Sequence, residues 1–300
     1  MGLLNSYYKL VGLAFLALGK VKYQTSSYRR ARPFSMANIQ SCIDYDIKVV
    51  DEWLEALESY SGESAEQIRG SRVLELGPGM DFGVPLYLLS KGVAHYSAID
   101  AFPLALRAPS DLHEAMLARI NSIGTHVSIE LLRGAIPRTS STTSNGPSRL
   151  CYVVRQDFEI SSAFEPSSFD YVFSQAAFEH FDDIDEVIRQ LSLVARSGAR
   201  LIAGVDFRTH ARWIREKDPL NIYRYSEKVY RSLGFRTMPN RVLASEYESS
   251  LKAHGWNDIE MRNISVVDHE YFVRVRDSLN VEFRREEVKM LWMVVCATRE

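Results

Sequence analysis

The segment Val73-Leu-Glu-Leu-Gly-Pro-Gly-Met-Asp-Phe-Gly83 constrains this chain more than any other. A short apolar run ends in glycines, and Leu86, Leu88 and Leu89 follow in a helical stretch, so it reads as strand, tight turn and helix start. Glycine at Gly77 and Gly79 lets the backbone come close to a ligand. In open α/β sheets, ligands bind at the carboxyl ends of the strands, near the point where strand order reverses. The alternation continues downstream. Tyr96–Asp100, Cys151–Asp157, Phe169–Ser174 and Leu201–Val205 read as further strands, with helical patterns over Leu112–Ile123 and Ile184–Val194. Asp182 or Asp183 is placed to cap the second of these helices, and Gly198 to close it. Ile259–Val267 and Leu291–Thr298 suit two last strands, one of them an antiparallel edge, with no clear helix between them. The expected fold is α/β, a doubly wound, mostly parallel sheet covered on both faces.

The region before this segment is helical in pattern. Ile39, Ile43, Ile47, Val50, Leu54 and Leu57 recur at helical spacing, with Ser35 as a candidate cap, and Ser59–Ser64 breaks the pattern. Residues 1–62 are therefore expected to form an N-terminal helical extension or lid, and residues 63–300 the main domain. Leu3–Leu18 is apolar but short of the ~20 residues a membrane span needs. It suits a helix packed on the domain, or one making peripheral membrane contact through residues 1–20. Arg29, Arg30 and Arg32 follow, able to touch anionic lipid or substrate, or simply to form a solvated basic loop. With 36 basic against 38 acidic residues, the chain lacks the basic surplus of nucleic-acid binders, so no nucleic-acid partner is expected. Cys42, Cys151 and Cys296 show no metal-ligand spacing. They point to no metal and to a reducing, cytoplasmic setting. Nothing in the chain specifies an oligomeric state.

Three carboxylates stand at strand ends. Asp100 follows the glycine turn by about 20 residues, where it can accept both hydroxyls of a ribose. A dinucleotide and a nucleoside sulfonium both remain open at that stage. The spacing Gly-x-Gly-x-x-x-Gly departs from the dinucleotide pattern Gly-x-Gly-x-x-Gly. Glu75, two residues before the first glycine, disfavours a pyrophosphate and suits a cationic ligand. Asp157 can accept from an adenine amine, with Phe158 beside the ring. Gln175 and Ala176 should line the pocket near the reacting group.

In this order, Glu75-x-Gly77-Pro78-Gly79, Asp100-Ala101, Asp157-Phe158 and Phe169-Asp-Tyr-Val-Phe-Ser-Gln-Ala-Ala-Phe-Glu-His180 resemble the motif series of class I S-adenosylmethionine-dependent methyltransferases. The resemblance spans roughly residues 70–205. It implies a seven-stranded, Rossmann-like sheet with a reversed last strand, S-adenosylmethionine as cofactor, and these residues with Gln175 and Ala176 as its contacts. Asp206–His210, Asn221–Ser226 and Pro239–Arg241 are similar to uncharacterised bacterial methyltransferases associated with glycan or small-molecule biosynthesis. That likeness implies a cap over about 206–256 above the acceptor pocket, with Arg208, Tyr223, Asn240 and Arg241 as acceptor contacts. Methyl transfer to a hydroxyl calls for a base near neutral pKa. His210, with Asp206 to orient it, is the first candidate and His180 the second. The expected reaction is methylation of a small-molecule or glycan acceptor at a hydroxyl oxygen. The alternatives are a non-catalytic nucleoside-binding scaffold and a nicotinamide-dependent oxidoreductase.

Overall fold

The structure, a computed structural model, describes residues 2–26, 35–143 and 148–300. The expectation for Arg29, Arg30 and Arg32 lies outside the described residues. Seven strands form one sheet: β1 (Arg72–Leu76), β2 (His95–Asp100), β3 (Leu150–Val154), β4 (Phe169–Gln175), β5 (Ala195–Asp206), β6 (Trp256–Val266) and β7 (Met290–Arg299). Their order is β3-β2-β1-β4-β5-β7-β6, and only β7 runs against its neighbours. Order reverses beside β1, which pairs in parallel with both β2 and β4.

The helices are α1 (Leu3–Ser26), α2 (Ile39–Ser61), α3 (Gly83–Ser90), α4 (Ser110–Ile123), α5 (Ile129–Ala135) and α6 (Ile160–Ala163). They continue with α7 (Ile184–Val194), α8 (Arg212–Arg215), α9 (Glu227–Ser232), α10 (Ala244–Ala253) and α11 (His269–Arg276). Alternation along each strand divides the core in two. Val73, Tyr171 and Phe173 face a layer built with α2, α3, α4 and α5. Leu74, Leu76 and Val172 face a second layer built with α6, α7 and α10.

Several local expectations shift. Asn38, not Ser35, caps α2, its side chain accepting from the N–H of Ser41 at 3.2 Å. The capping oxygen must belong to the residue next to the first helical turn, and Ser35 stands too far upstream. Asp183 caps α7. Gly198 does not close that helix. The chain turns extended at Ala195 to pair with Phe169, and Gly198 lies within β5 at φ +81°. The helix α11 between the last two strands carried no clear sequence signal, because most of its surface is charged and only Phe272 and Val275 are buried.

The N-terminal helices differ in what they cover. Buried Cys42, Ile43, Val49, Val50, Trp53 and Leu57 of α2 lie against the sheet, with the Trp53 ring stacked on Phe173 at 4.8 Å. In contrast, α1 lies on the stretch that follows β5. Asn221 Nδ2 donates to the carbonyl of Tyr8, Tyr225 Oη to that of Lys9, and Phe15 stacks on Trp213. Asn221 is itself held by Asp218, which forms a fully buried ion pair with Arg224. The outer face of α1 exposes Leu3, Leu10 and Leu18. Among the described residues, no helix is long and apolar enough to cross a membrane. A side chain at Gly12 would overlap Asn221 Oδ1 and Tyr225 Oη. Gly12→Ala should therefore loosen α1 by about 1–3 kcal/mol from overpacking, more than the ~1 kcal/mol gained in helix propensity. Limited proteolysis should then cut within residues 3–26 faster than in the parent chain. Equal cutting rates would show that α1 does not depend on this contact.

Candidate functional site

A cleft of about 320 Å³ opens at the carboxyl ends of β1, β2 and β4. Glu75, Gly77, Pro78, Gly79, Asp100 and Ala101 line one part of it, and Asp157, Phe158, Gln175, Ala176 and His180 the rest. All the residues expected to contact a cofactor thus meet in one place. Gly77 and Gly79 adopt φ of +70° and +82°, a conformation that favours glycine. A Cβ on Gly77 would also stand 2.7 Å from that of Ala177. Glu75 is buried and accepts from Tyr96 Oη at 2.8 Å.

Asp100 ends β2 with 8% of its surface exposed. Burial pushes its carboxyl up to about 7, against the opposing pull of the backbone N–H groups of Phe102, Ala101 and Gly79. A buried acceptor so placed suits incoming hydroxyl donors. Asp157 is different. Arg155 grips its carboxylate at 2.9 and 2.8 Å and holds it down at about 2. The Phe158 ring meets Phe181 at 4.7 Å, giving this end an apolar wall.

Strain gathers here. Phe158, Ala176 and Thr237 all line the cleft and all adopt positive φ without being glycine. Each such residue costs on the order of 1–3 kcal/mol and persists only when its surroundings hold it. At Ala176 the holding contact is its N–H on the carbonyl of Gly204, 2.9 Å away. Next to it, Gln175 Oε1 accepts from Trp53 Nε1 at 3.2 Å, so α2 fixes a cleft residue from the opposite layer.

The other candidates are placed elsewhere. Arg208, Tyr223, Asn240 and Arg241 do not line the cleft. Tyr223 is fully buried, its hydroxyl donating to the carbonyl of Phe207. Asn240 donates to the carbonyls of Phe178 and Phe181, which pins the turn carrying His180. Arg241 is buried over the Tyr230 ring, donating to the carbonyl of Tyr225 and paired with Glu227. Arg208 grips Asp206 through two bonds. These polar groups hold the stretch after β5 against the sheet. Sequence reasoning missed Tyr45 of α2, Phe102 and Arg236, which do line the cleft. No spacing marks them, since each arrives on a different element.

At one end of the cleft the His180 ring lines the wall, and the His210 ring, which does not line the cleft, lies 4.9 Å from it. His210 Nε2 stands 3.8 Å from Asp206 Oδ2 and 3.9 Å from Glu179 Oε1. Burial holds His180 down at about 3, reinforced by His210, so its ring is neutral at physiological pH. Burial and the charge of Asp206 push Glu179 well above the usual carboxylate range. Burial works to raise Asp206 too, but His210, Arg208 and Arg215 outweigh it and hold its carboxyl below that range.

Residues 74–203 match a family described as a methyltransferase domain. No curated protein matches the sequence. Among solved structures, the chain is similar to Haemonchus contortus phosphoethanolamine N-methyltransferase 2 in complex with S-adenosyl-L-methionine, at 14% identity and a TM-score of 0.50. That match covers 93% of this chain but only 59% of the other, so the chain spans well under two thirds of that protein's length. The same protein with phosphomonomethylethanolamine and S-adenosylhomocysteine gives 15% identity, a TM-score of 0.49 and the same coverage. An S-adenosylmethionine-dependent methyltransferase from Mesorhizobium loti gives 14% and 0.41, over 77% of this chain and 92% of the other. At such identities the likeness is one of fold.

Proposed function

We propose, from the premise that this chain is a class I S-adenosylmethionine-dependent methyltransferase, that it methylates a hydroxyl oxygen on a small-molecule or glycan acceptor. The cleft suits the cofactor: Gly77 and Gly79 allow close approach, and Asp100 offers a buried carboxylate to ribose hydroxyls. When bound there, S-adenosylmethionine supplies an electrophilic methyl group on a sulfonium. Glu75 adds negative charge near that cation, and Gln175 and Ala176 wall the same end.

One observation carries the acceptor assignment. His180 lines the cleft, with the His210 ring behind it between two buried carboxylates. Nitrogen and carbanion acceptors have less need of a base at this position, whereas a hydroxyl must lose its proton as it is methylated. His210 is the group to take it. Asp206, 3.8 Å from His210 Nε2, offers a charged partner to the protonated ring, and the neutral His180 ring orients the acceptor oxygen. The segment over about 206–256 serves as a cap, its own polar groups fastened inward so that it closes over the cleft as a unit.

His210→Ala should lower turnover by roughly 10²–10⁴-fold, the usual contribution of a general base, and leave S-adenosylhomocysteine affinity unchanged. Labelled methyl transfer into a panel of extracted metabolites and glycans, with products sorted into O-, N- and C-methyl classes, tests the acceptor. Products confined to N- or C-methyl compounds would refute the hydroxyl reading.

A further inference from the structure

We infer that Glu179, His180 and His210 form a binding site for one divalent transition-metal ion at the acceptor end of the cleft. One donor atom from each lies within 4.8 Å of the others. Both carboxylate oxygens of Glu179 and Nδ1 of His180 are buried without a hydrogen-bond partner, and so is Nδ1 of His210. Burying polar atoms without a hydrogen-bond partner is costly whatever their charge. Several such atoms converging on one point are what a bound cation would satisfy. His210 Nε2 is 3.9 Å from Glu179 Oε1, so small movements would let both reach an ion at ligand bonds of about 2.0–2.2 Å.

The surroundings favour this reading over a simple ion pair. Asp206 is engaged by Arg208 and Arg215, so those guanidiniums do not bond Glu179. Asp206 Oδ2 lies 3.8 Å from the same His210 Nε2 and adds negative charge beside the site. The backbone holds the set in place. Glu179 and His180 sit on the turn after β4, pinned by Asn240, and His210 on the loop after β5, the next parallel strand. Two imidazoles and one carboxylate suit zinc, cobalt, iron or manganese better than magnesium or calcium, which prefer oxygen ligands.

The role of the ion rests on the hydroxyl-acceptor reading. His180 faces the cleft, so the open coordination positions would meet the acceptor oxygen there. Metal coordination lowers a hydroxyl's pKa, so with the ion bound His210 acts as a ligand in place of a base and the proton passes to solvent. The oxygen lone pair then forms the bond to the methyl carbon as the carbon–sulfur bond breaks, its electron pair remaining on sulfur.

The test uses tag-free full-length protein stripped with a chelator and titrated with cobalt(II) chloride. The expected result is one cobalt per chain with visible d–d absorption. Affinity should fall at least ~10–100-fold in Glu179→Gln and in His210→Gln, both still binding S-adenosylhomocysteine as a check of folding. His210→Gln stands in if Glu179→Gln fails to fold, because the His210 side chain is partly exposed. No saturable cobalt uptake, or uptake unchanged in both variants, overturns the metal site, even if O-methyl products form. Cobalt uptake lost in the variants supports the site, even if the products are not O-methylated, a result that would instead remove the hydroxyl reading.

Discussion

Replacing Asp100 with asparagine is expected to weaken S-adenosylhomocysteine binding by roughly 10–100-fold, yet make the ligand-free protein harder to unfold above pH 7. Hydrogen bonds to a charged acceptor are worth about 1.5–3 kcal/mol, which sets the first number. The second follows from burial. In the folded chain the carboxyl titrates at about 7, whereas an unfolded aspartate titrates near ~3.9. The folded state therefore binds the proton more tightly. Its contribution to stability is fully present below about pH 4 and is lost as pH rises through 7. At pH 8 the charged side chain costs about 1–3 kcal/mol after discounting for relaxation, and asparagine avoids that cost. Ligand hydroxyls favour the ionised form, so the parent protein should also lose affinity as pH falls below 7. Calorimetry at pH 5.5, 7 and 8.5, with denaturant unfolding at the same values, checks both signs. Equal affinity of parent and variant at every pH would place the ribose elsewhere.

Gly83→Ala should destabilise the chain by about 2–4 kcal/mol. The new Cβ would overlap Asp46 Oδ2 and lie 2.6 Å from its Cγ and 3.0 Å from its Cβ. Asp46 belongs to α2 and is completely buried, so it cannot swing clear. Overpacking of about 1–3 kcal/mol and disturbance of a buried polar group of similar size outweigh the ~1 kcal/mol that alanine gains over glycine in a helix. Denaturant midpoints should show the loss, and pairing the change with Asp46→Ala should recover part of it as a non-additive term. Simple additivity of the two changes would mean the contact is not the cause.

Gly83 also shows how far the glycine pattern could be read. Its distance from Gly79 distinguishes this turn from a dinucleotide loop, but its physical reason is a packing contact with a helix far upstream. The same division runs through the site. The strand ends carrying Glu75, Asp100, Asp157 and Gln175 were legible because an apolar run ending in a polar or glycine residue is a local signal. Tyr223, Asn240 and Arg241 sit among short elements without periodicity. There a polar residue that fastens backbone carbonyls cannot be told from one that faces a ligand.

By itself, then, the sequence determined the doubly wound sheet, the glycine turn and the carboxylates at the strand ends. Period, turn chemistry and chain direction are properties of neighbouring residues. Only the tertiary structure decided that Trp53 holds Gln175, that α1 lies on the stretch after β5, and that His210 joins Glu179 and His180. Those meetings depend on which strands lie side by side and which way each loop crosses them. They also depend on burial, which shifts the titration of Asp100 and leaves the Glu179 carboxylate without a hydrogen-bond donor.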